Sequence, residues 1–80
     1  VTKFFDVANT YFKKSEITNL KKIRQAHGLS QSKLACLAEV ELRSIQMYEQ
    51  RRNDINKAQV ETLYKLARVL GCNIEDLLED

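Results

Sequence analysis

The stretch of residues 31–50, reading QSKLACLAEVELRSIQMYEQ, constrains the fold of this chain more than any other. Leu34 lies one helical turn before Ala38, and Ile45 lies three positions before Tyr48. Apolar residues at these spacings fall on one face of a helix, not on alternate sides of a strand. The stretch therefore predicts two short helices joined by a tight turn, each with one face turned toward a core.

The second of these helices carries more large side chains than a core needs. Its outer face comprises Leu42, Arg43, Gln46, Met47 and Gln50. The inner face of the helix is enough to pack in the core, so the core does not need this mixture of polar and apolar groups. The mixture therefore indicates a binding surface. A pair of helices joined by a tight turn presents its second helix to the DNA major groove through such a face.

Glycines mark the ends of the flanking helices. Gly28 and Gly71 each follow an amphipathic run, at the position where a left-handed residue ends a helix. We predict helix 1 over about residues 19–27, helix 2 over about 31–37 and helix 3 over about 42–50.

Two further start signals follow the polar loop at residues 53–54. Asn56 predicts the capped start of a fourth helix that runs to Gly71, and Asn73 with Asp76 predicts a short fifth helix. The sequence thus predicts an all-α, compact five-helix domain over residues 18–80. Residues 1–17 form an N-terminal extension whose apolar spacing permits a helix.

Charge is unevenly distributed, although the formal net charge is only +2. Residues 21–57 carry eight Lys/Arg and four acidic residues, whereas residues 58–80 carry two Lys/Arg and five acidic residues. The basic excess therefore coincides with the two predicted helices that would meet DNA.

The composition argues against several classes of protein. With one His, no phosphate-cradling glycine loop and no suitable Cys/His spacing, the chain offers nothing for catalysis, and we expect no enzyme and no cofactor. Cys36 and Cys72 have no metal-ligand spacing, so we expect no bound metal and two reduced core or boundary side chains. No apolar run approaches a membrane span and no signal peptide is visible, so we expect a cytoplasmic protein.

Three segments together resemble a known family, the phage-repressor/Cro-type (XRE) helix-turn-helix domains. They are GLSQSKLA at residues 28–35, IQMYEQ at 45–50 and LYKLARVLGCNIEDLL at 63–78, and the resemblance covers residues 20–79. It implies a five-helix domain that binds operator DNA, usually as a homodimer, and regulates transcription.

The resemblance also implies roles for individual residues. The positions that meet base edges in the family are occupied here by Glu41, Leu42, Arg43 and Met47, with Gln46 beside them. Arg43 is the best candidate reader, because a guanidinium can bond O6 and N7 of guanine together.

Phosphate contacts are implied at the ends of the two helices. Gln31 stands at the start of helix 2, where free N–H groups and the positive helix end favour an anion. Arg51, Arg52 and Asn53 follow helix 3, where side chains and N–H groups grip phosphate in the family. The family also pairs an Arg of helix 1 with a Glu that ends helix 3, which implies a structural ion pair between Arg24 and Glu49.

The chain departs from the family pattern at three positions. Glu39 stands in the interhelical turn where glycine is usual, and Glu41 replaces the usual Ser or Thr cap of helix 3. Arg51 also stands where many members have glycine. A left-handed residue with a side chain costs about 1 kcal/mol, and carboxylates beside the DNA-facing helix repel phosphate.

Plainer interpretations stay open at these positions. Arg43, Arg51 and Arg52 also suit a solvated polar face, and Gln31 suits the first turn of any helix. Leu42 and Met47 also suit a core or a dimer contact. The sequence accordingly predicts a sequence-specific regulator that binds double-stranded DNA, with an antitoxin-like or other protein-interaction module on the same scaffold as the alternative.

Overall fold

The computed structural model describes residues 17–79, which fold into five α-helices and one short 3-10 helix. The helices are α1 Asn19–Ala26, α2 Gln31–Ala38, α3 Leu42–Glu49, α4 Val60–Leu70 and α5 Ile74–Leu77, and the 3-10 helix is Ile55–Lys57. No strand occurs within this range, so the predicted all-α five-helix domain is confirmed. All of the predicted N-terminal extension except Ile17 lies outside the described residues.

Three of the five helices, α1, α2 and α5, begin where a polar side chain binds a backbone N–H group. The Thr18 hydroxyl accepts a hydrogen bond from the Lys21 N–H at 3.1 Å, and the Ser30 hydroxyl accepts one from the Lys33 N–H at 3.0 Å. At α5 the Asn73 N–H donates to Asp76 Oδ2 at 2.9 Å. Because the first N–H groups of a helix have no partner within it, these caps fix where α1, α2 and α5 start.

The predicted start of the fourth helix at Asn56 is wrong. Asp54 caps a single 3-10 turn there, with its Oδ1 accepting from the Asn56 N–H at 2.9 Å, and α4 begins only at Val60. The Asn56 side chain is engaged elsewhere, because its Nδ2 donates to the Glu79 carbonyl at 2.6 Å. A contact across 23 residues has therefore replaced the local capping role.

One core joins all five helices. Its members are apolar and at most 8% exposed: Leu20, Leu34, Ala35, Ala38, Ile45, Ile55, Leu63, Leu66, Ala67, Leu70 and Leu77. Removing a leucine-sized side chain from water contributes roughly 1.5–3 kcal/mol, so this cluster supplies the main driving force for folding. Because α2 packs on both α3 and α4, its small residues Ala35 and Ala38 allow the helices to approach closely.

The two cysteines lie outside this core. Cys36 is exposed and Cys72 is half-buried, and both are free thiols. Burial raises the pKa of the Cys72 thiol, and the nearby Asp76 carboxylate raises it further. Within residues 17–79 no group of three or more His, Cys, Asp and Glu side chains is arranged to hold a metal, and no helix has the length and apolarity to cross a bilayer.

The turn between α2 and α3 depends on a left-handed residue. Glu39 ends α2 with φ 57° and ψ 44°, and Val40 then donates its N–H to the Ala35 carbonyl at 3.0 Å. The carboxylate also follows the negative end of the helix, where an anion is unfavourable. Glu39 therefore carries both a conformational and an electrostatic cost.

Replacing Glu39 with glycine is expected to stabilise the domain by about 1 kcal/mol, because glycine adopts this conformation without a Cβ clash. Urea unfolding followed by circular dichroism measures the change. Glu39→Ala is the matched control, since it removes the charge but keeps the Cβ. Equal stability of the Gly and Ala variants would show that the left-handed conformation costs nothing.

Candidate nucleic-acid interface

The outer face of α3 is open to solvent while its inner face is sealed. Ile45 is completely buried, whereas Leu42 is 36% exposed and Arg43 is also exposed. Gln46 and Met47 are half-buried. None of these predicted base-reading side chains is enclosed by the rest of the described chain, so the face is free to meet a partner.

The start of α3 has no side-chain cap. Glu41 occupies the cap position in an extended conformation, and its carboxylate makes no capping hydrogen bond. The Glu41 carbonyl accepts from the Ser44 N–H at 3.1 Å, as in any first helical turn. Glu41 is exposed, so it places a negative charge at the end of α3 that would approach phosphate.

A buried ion pair holds the other end of α3. Arg24 Nε donates to Glu49 Oε2 at 2.7 Å and Arg24 Nη2 donates to Glu49 Oε1 at 3.0 Å, which makes the contact bidentate. The two side chains are only 10% and 3% exposed. Such bidentate, planar contacts are strong and have a fixed geometry. This contact therefore sets the orientation of α3 relative to α1.

Gln31 extends this pair into a three-helix network. Its Nε2 donates to Glu49 Oε1 at 2.9 Å, while Arg24 Nη1 donates to the Leu29 carbonyl at 2.8 Å. Glu49 at the end of α3 thus binds the start of α2 as well as α1. Gln31 is partly exposed at the first position of α2, where sequence analysis predicts a phosphate contact.

The loop after α3 presents fewer donors than the sequence indicates. The Arg52 and Asn53 N–H groups both donate to the Met47 carbonyl, at 2.9 and 3.3 Å. These two N–H groups therefore already close the end of the helix, and contact of this loop with phosphate stays a prediction. The side chains of Arg52 and Asn53 are exposed and remain accessible.

Arg51 has a partner that the sequence does not indicate. It adopts a left-handed conformation with φ 59°, and its Nη2 lies 3.2 Å from Glu79 Oε1. The Glu79 side chain is only 12% exposed, and its Oε2 accepts from the Asn19 N–H at 2.7 Å. The guanidinium predicted to meet phosphate is thus engaged with the C-terminal part of the domain.

Asn56 completes the attachment of this loop to residue 79. Its Nδ2 donates to the Glu79 carbonyl at 2.6 Å, and its Oδ1 accepts from the Glu79 N–H at 2.8 Å. Sequence reasoning missed this role for Glu79, because the residues it joins are 23, 28 and 60 positions away. No local pattern signals such contacts.

Glu49→Ala is expected to destabilise the domain by about 3 kcal/mol or more, because it leaves the Arg24 charge buried and unpaired. The paired replacement Arg24→Met with Glu49→Leu should recover most of that loss, since it removes both charges. Denaturant unfolding of both variants checks the prediction. A double variant as unstable as Glu49→Ala would contradict this account of the pair.

The comparisons with known proteins agree with this geometry. A family model described as helix-turn-helix matches residues 20–77, which run from the second residue of α1 to the last residue of α5. The match therefore covers more than two thirds of the chain and includes the whole of α2, the turn and α3. No curated protein matches the chain.

Proposed function

This chain belongs to the helix-turn-helix family of the XRE type, a family of DNA-binding domains, and we propose that it is a sequence-specific transcriptional regulator that binds double-stranded DNA. In this proposal α3 enters the major groove and the protein acts as a repressor-like regulator. The observation that carries the proposal is the exposure of Leu42 and Arg43 on a helix whose opposite face is anchored by the buried Ile45.

Base reading is assigned to the outer face of α3. Arg43 is exposed near the start of the helix, where recognition helices contact bases, and its guanidinium suits guanine O6 and N7. Leu42 and Met47 suit the methyl group of thymine, and Glu41 and Gln46 complete the face. The anchored inner face keeps these groups in one orientation, which sequence discrimination requires.

Phosphate contacts are assigned to the two ends of the helix-turn-helix. The N-terminal end of α2 beside Gln31 carries partial positive charge, and Arg52 and Asn53 offer exposed side chains after α3. Arg51 contributes less to this set than its charge indicates, because its guanidinium already binds Glu79.

A homodimer is part of the proposal. An eight-residue recognition helix reads only a short half-site, and one domain makes few phosphate contacts. Two copies on a pseudo-palindrome, with half-sites about 34 Å apart, double both kinds of contact. Selection from a random duplex library tests this directly, because a dimer enriches a two-fold repeat whereas a monomer enriches a single short site.

Arg43→Ala should weaken binding to the selected site by roughly 1–3 kcal/mol and relax the base preference at one position of each half-site. Arg52→Ala should weaken binding to all sequences alike and lower the salt dependence of log K by about one phosphate contact for each subunit. Fluorescence anisotropy at several salt concentrations measures both effects. Uniform loss of affinity in both variants would contradict the assignment of base reading to Arg43.

A second candidate function is an antitoxin-like protein-interaction module on the same scaffold. It is favoured by Glu39 and Glu41, two exposed carboxylates that flank the turn before α3 and disfavour a polyanion. Titration with a random-sequence duplex at low salt separates the two candidates, because counterion release is then largest. If the chain binds DNA, it should bind this duplex measurably, and the Glu41→Gln variant should bind it more tightly. If neither the unmodified chain nor this variant binds the duplex at low salt, the result supports the protein-interaction module.

A further inference from the structure

Large apolar side chains are exposed on the side of the domain formed by α2 and α4. Val60 is 71% exposed, Tyr64 is 56% exposed and Leu37 is 49% exposed. The inner face of α4 already packs in the core through residues such as Leu63 and Leu66. The outer face of a solvated helix is ordinarily polar, so an exposed Val and Tyr one turn apart indicate a surface that another molecule covers.

Tyr64 and Arg68 form a ridge along this outer face, with an open groove on each side. The groove toward α2 is lined by Leu37, Lys65 and Val69 together with the ridge. The groove toward α5 is lined by the same ridge and by residues 72–75. A ridge between two grooves is the shape that a second helix needs in order to pack against α4.

The charges on the ridge are arranged to match a reversed copy of the same helix. Glu61 lies three residues before Tyr64 and Arg68 lies four residues after it. In an antiparallel pair with its two-fold axis near Tyr64, Glu61 of each copy lies within about 1.5 Å, measured along the axis, of Arg68 of the other. A parallel pair instead sets Glu61 beside Glu61.

The Glu61 carboxylate is available for this contact. Lys65 Nζ lies 4.0 Å from Glu61 Oε1, and the Glu61 side chain is 77% exposed. An exposed contact of that length within one helix is weak. No residue lining either groove belongs to the base-reading set of α3, so occupation of this face leaves the proposed DNA-binding face open.

We propose that the outer face of α4 is the surface on which a second copy of this chain docks, in an antiparallel α4–α4 pair centred on Tyr64. In that pair Tyr64 packs against Tyr64 of the second copy, and two Glu61–Arg68 ion pairs flank it. The proposal rests on the proposed function in one respect, because it names the surface through which the homodimer of that function forms. It stands or fails without DNA.

Charge reversal tests the arrangement, measured by sedimentation velocity of the full chain without DNA over a range of concentrations. Glu61→Arg and Arg68→Glu should each raise the dimer dissociation constant about tenfold or more, because each turns both symmetric ion pairs into repulsions. The double reversal should restore the dissociation constant to within about threefold of the unmodified chain, since it recreates both pairs in the opposite sense. Tyr64→Ala should weaken the dimer as well.

Lys22→Glu on the exposed side of α1 is the matched control and should leave the dimer unchanged. Circular dichroism checks that every variant is folded, which is expected because all four positions are at least partly exposed. A dimer that loses affinity in both single reversals and is not rescued by the double reversal overturns the antiparallel pairing. An unmodified chain that stays monomeric at all concentrations overturns the proposal altogether and leaves this face to a different protein.

DNA binding is measured separately on the same samples. A monomer that binds a single short site contradicts the α4 dimer but supports the DNA-binding function. A dimer that shows the charge rescue and binds no duplex at low salt supports the α4 surface and contradicts the DNA-binding function.

Discussion

The buried contact between the Arg24 guanidinium and the Glu49 carboxylate is the interaction on which the presentation of α3 depends. Both groups are almost fully removed from solvent and each satisfies the charge of the other in a bidentate geometry. Burying either charge alone would cost several kcal/mol, so the folded state depends on keeping the two groups in contact. Because Gln31 also binds Glu49, a single carboxylate fixes α1, α2 and α3 relative to one another.

A second attachment holds the loop that leaves α3. Arg51 and Asn56 both bind Glu79, and Glu79 also accepts from the backbone of Asn19 at the start of α1. The C-terminal end of α3 is therefore held twice, by the ion pair at its last residue and by this attachment just beyond it. The outer face of α3 can then bind a rigid partner such as duplex DNA without the entropy loss of first becoming ordered.

Exposed charges of both signs lie beside α3. In the proposed complex with DNA, the exposed Arg43 and Arg52 would attract phosphate, whereas the exposed Glu39 and Glu41 would repel it beside the same helix. In that proposal the opposed charges would weaken binding to arbitrary DNA, and more of the affinity would come from contacts with bases or from a second subunit. In our proposal, the second subunit docks on the apolar outer face of α4 around Tyr64.

The sequence by itself determined the order of the helices, most of their starts and the face that α3 presents, because caps, glycine ends and apolar spacing act over one helical turn. It also indicated the left-handed turn at Glu39 and, through the family resemblance, the pairing of Arg24 with Glu49. It misplaced the start of α4 at Asn56, and it did not indicate the contact of Arg51 with Glu79. Only the tertiary structure decided those two roles, because the partner of both residues is Glu79, which the folded chain brings from more than twenty positions away.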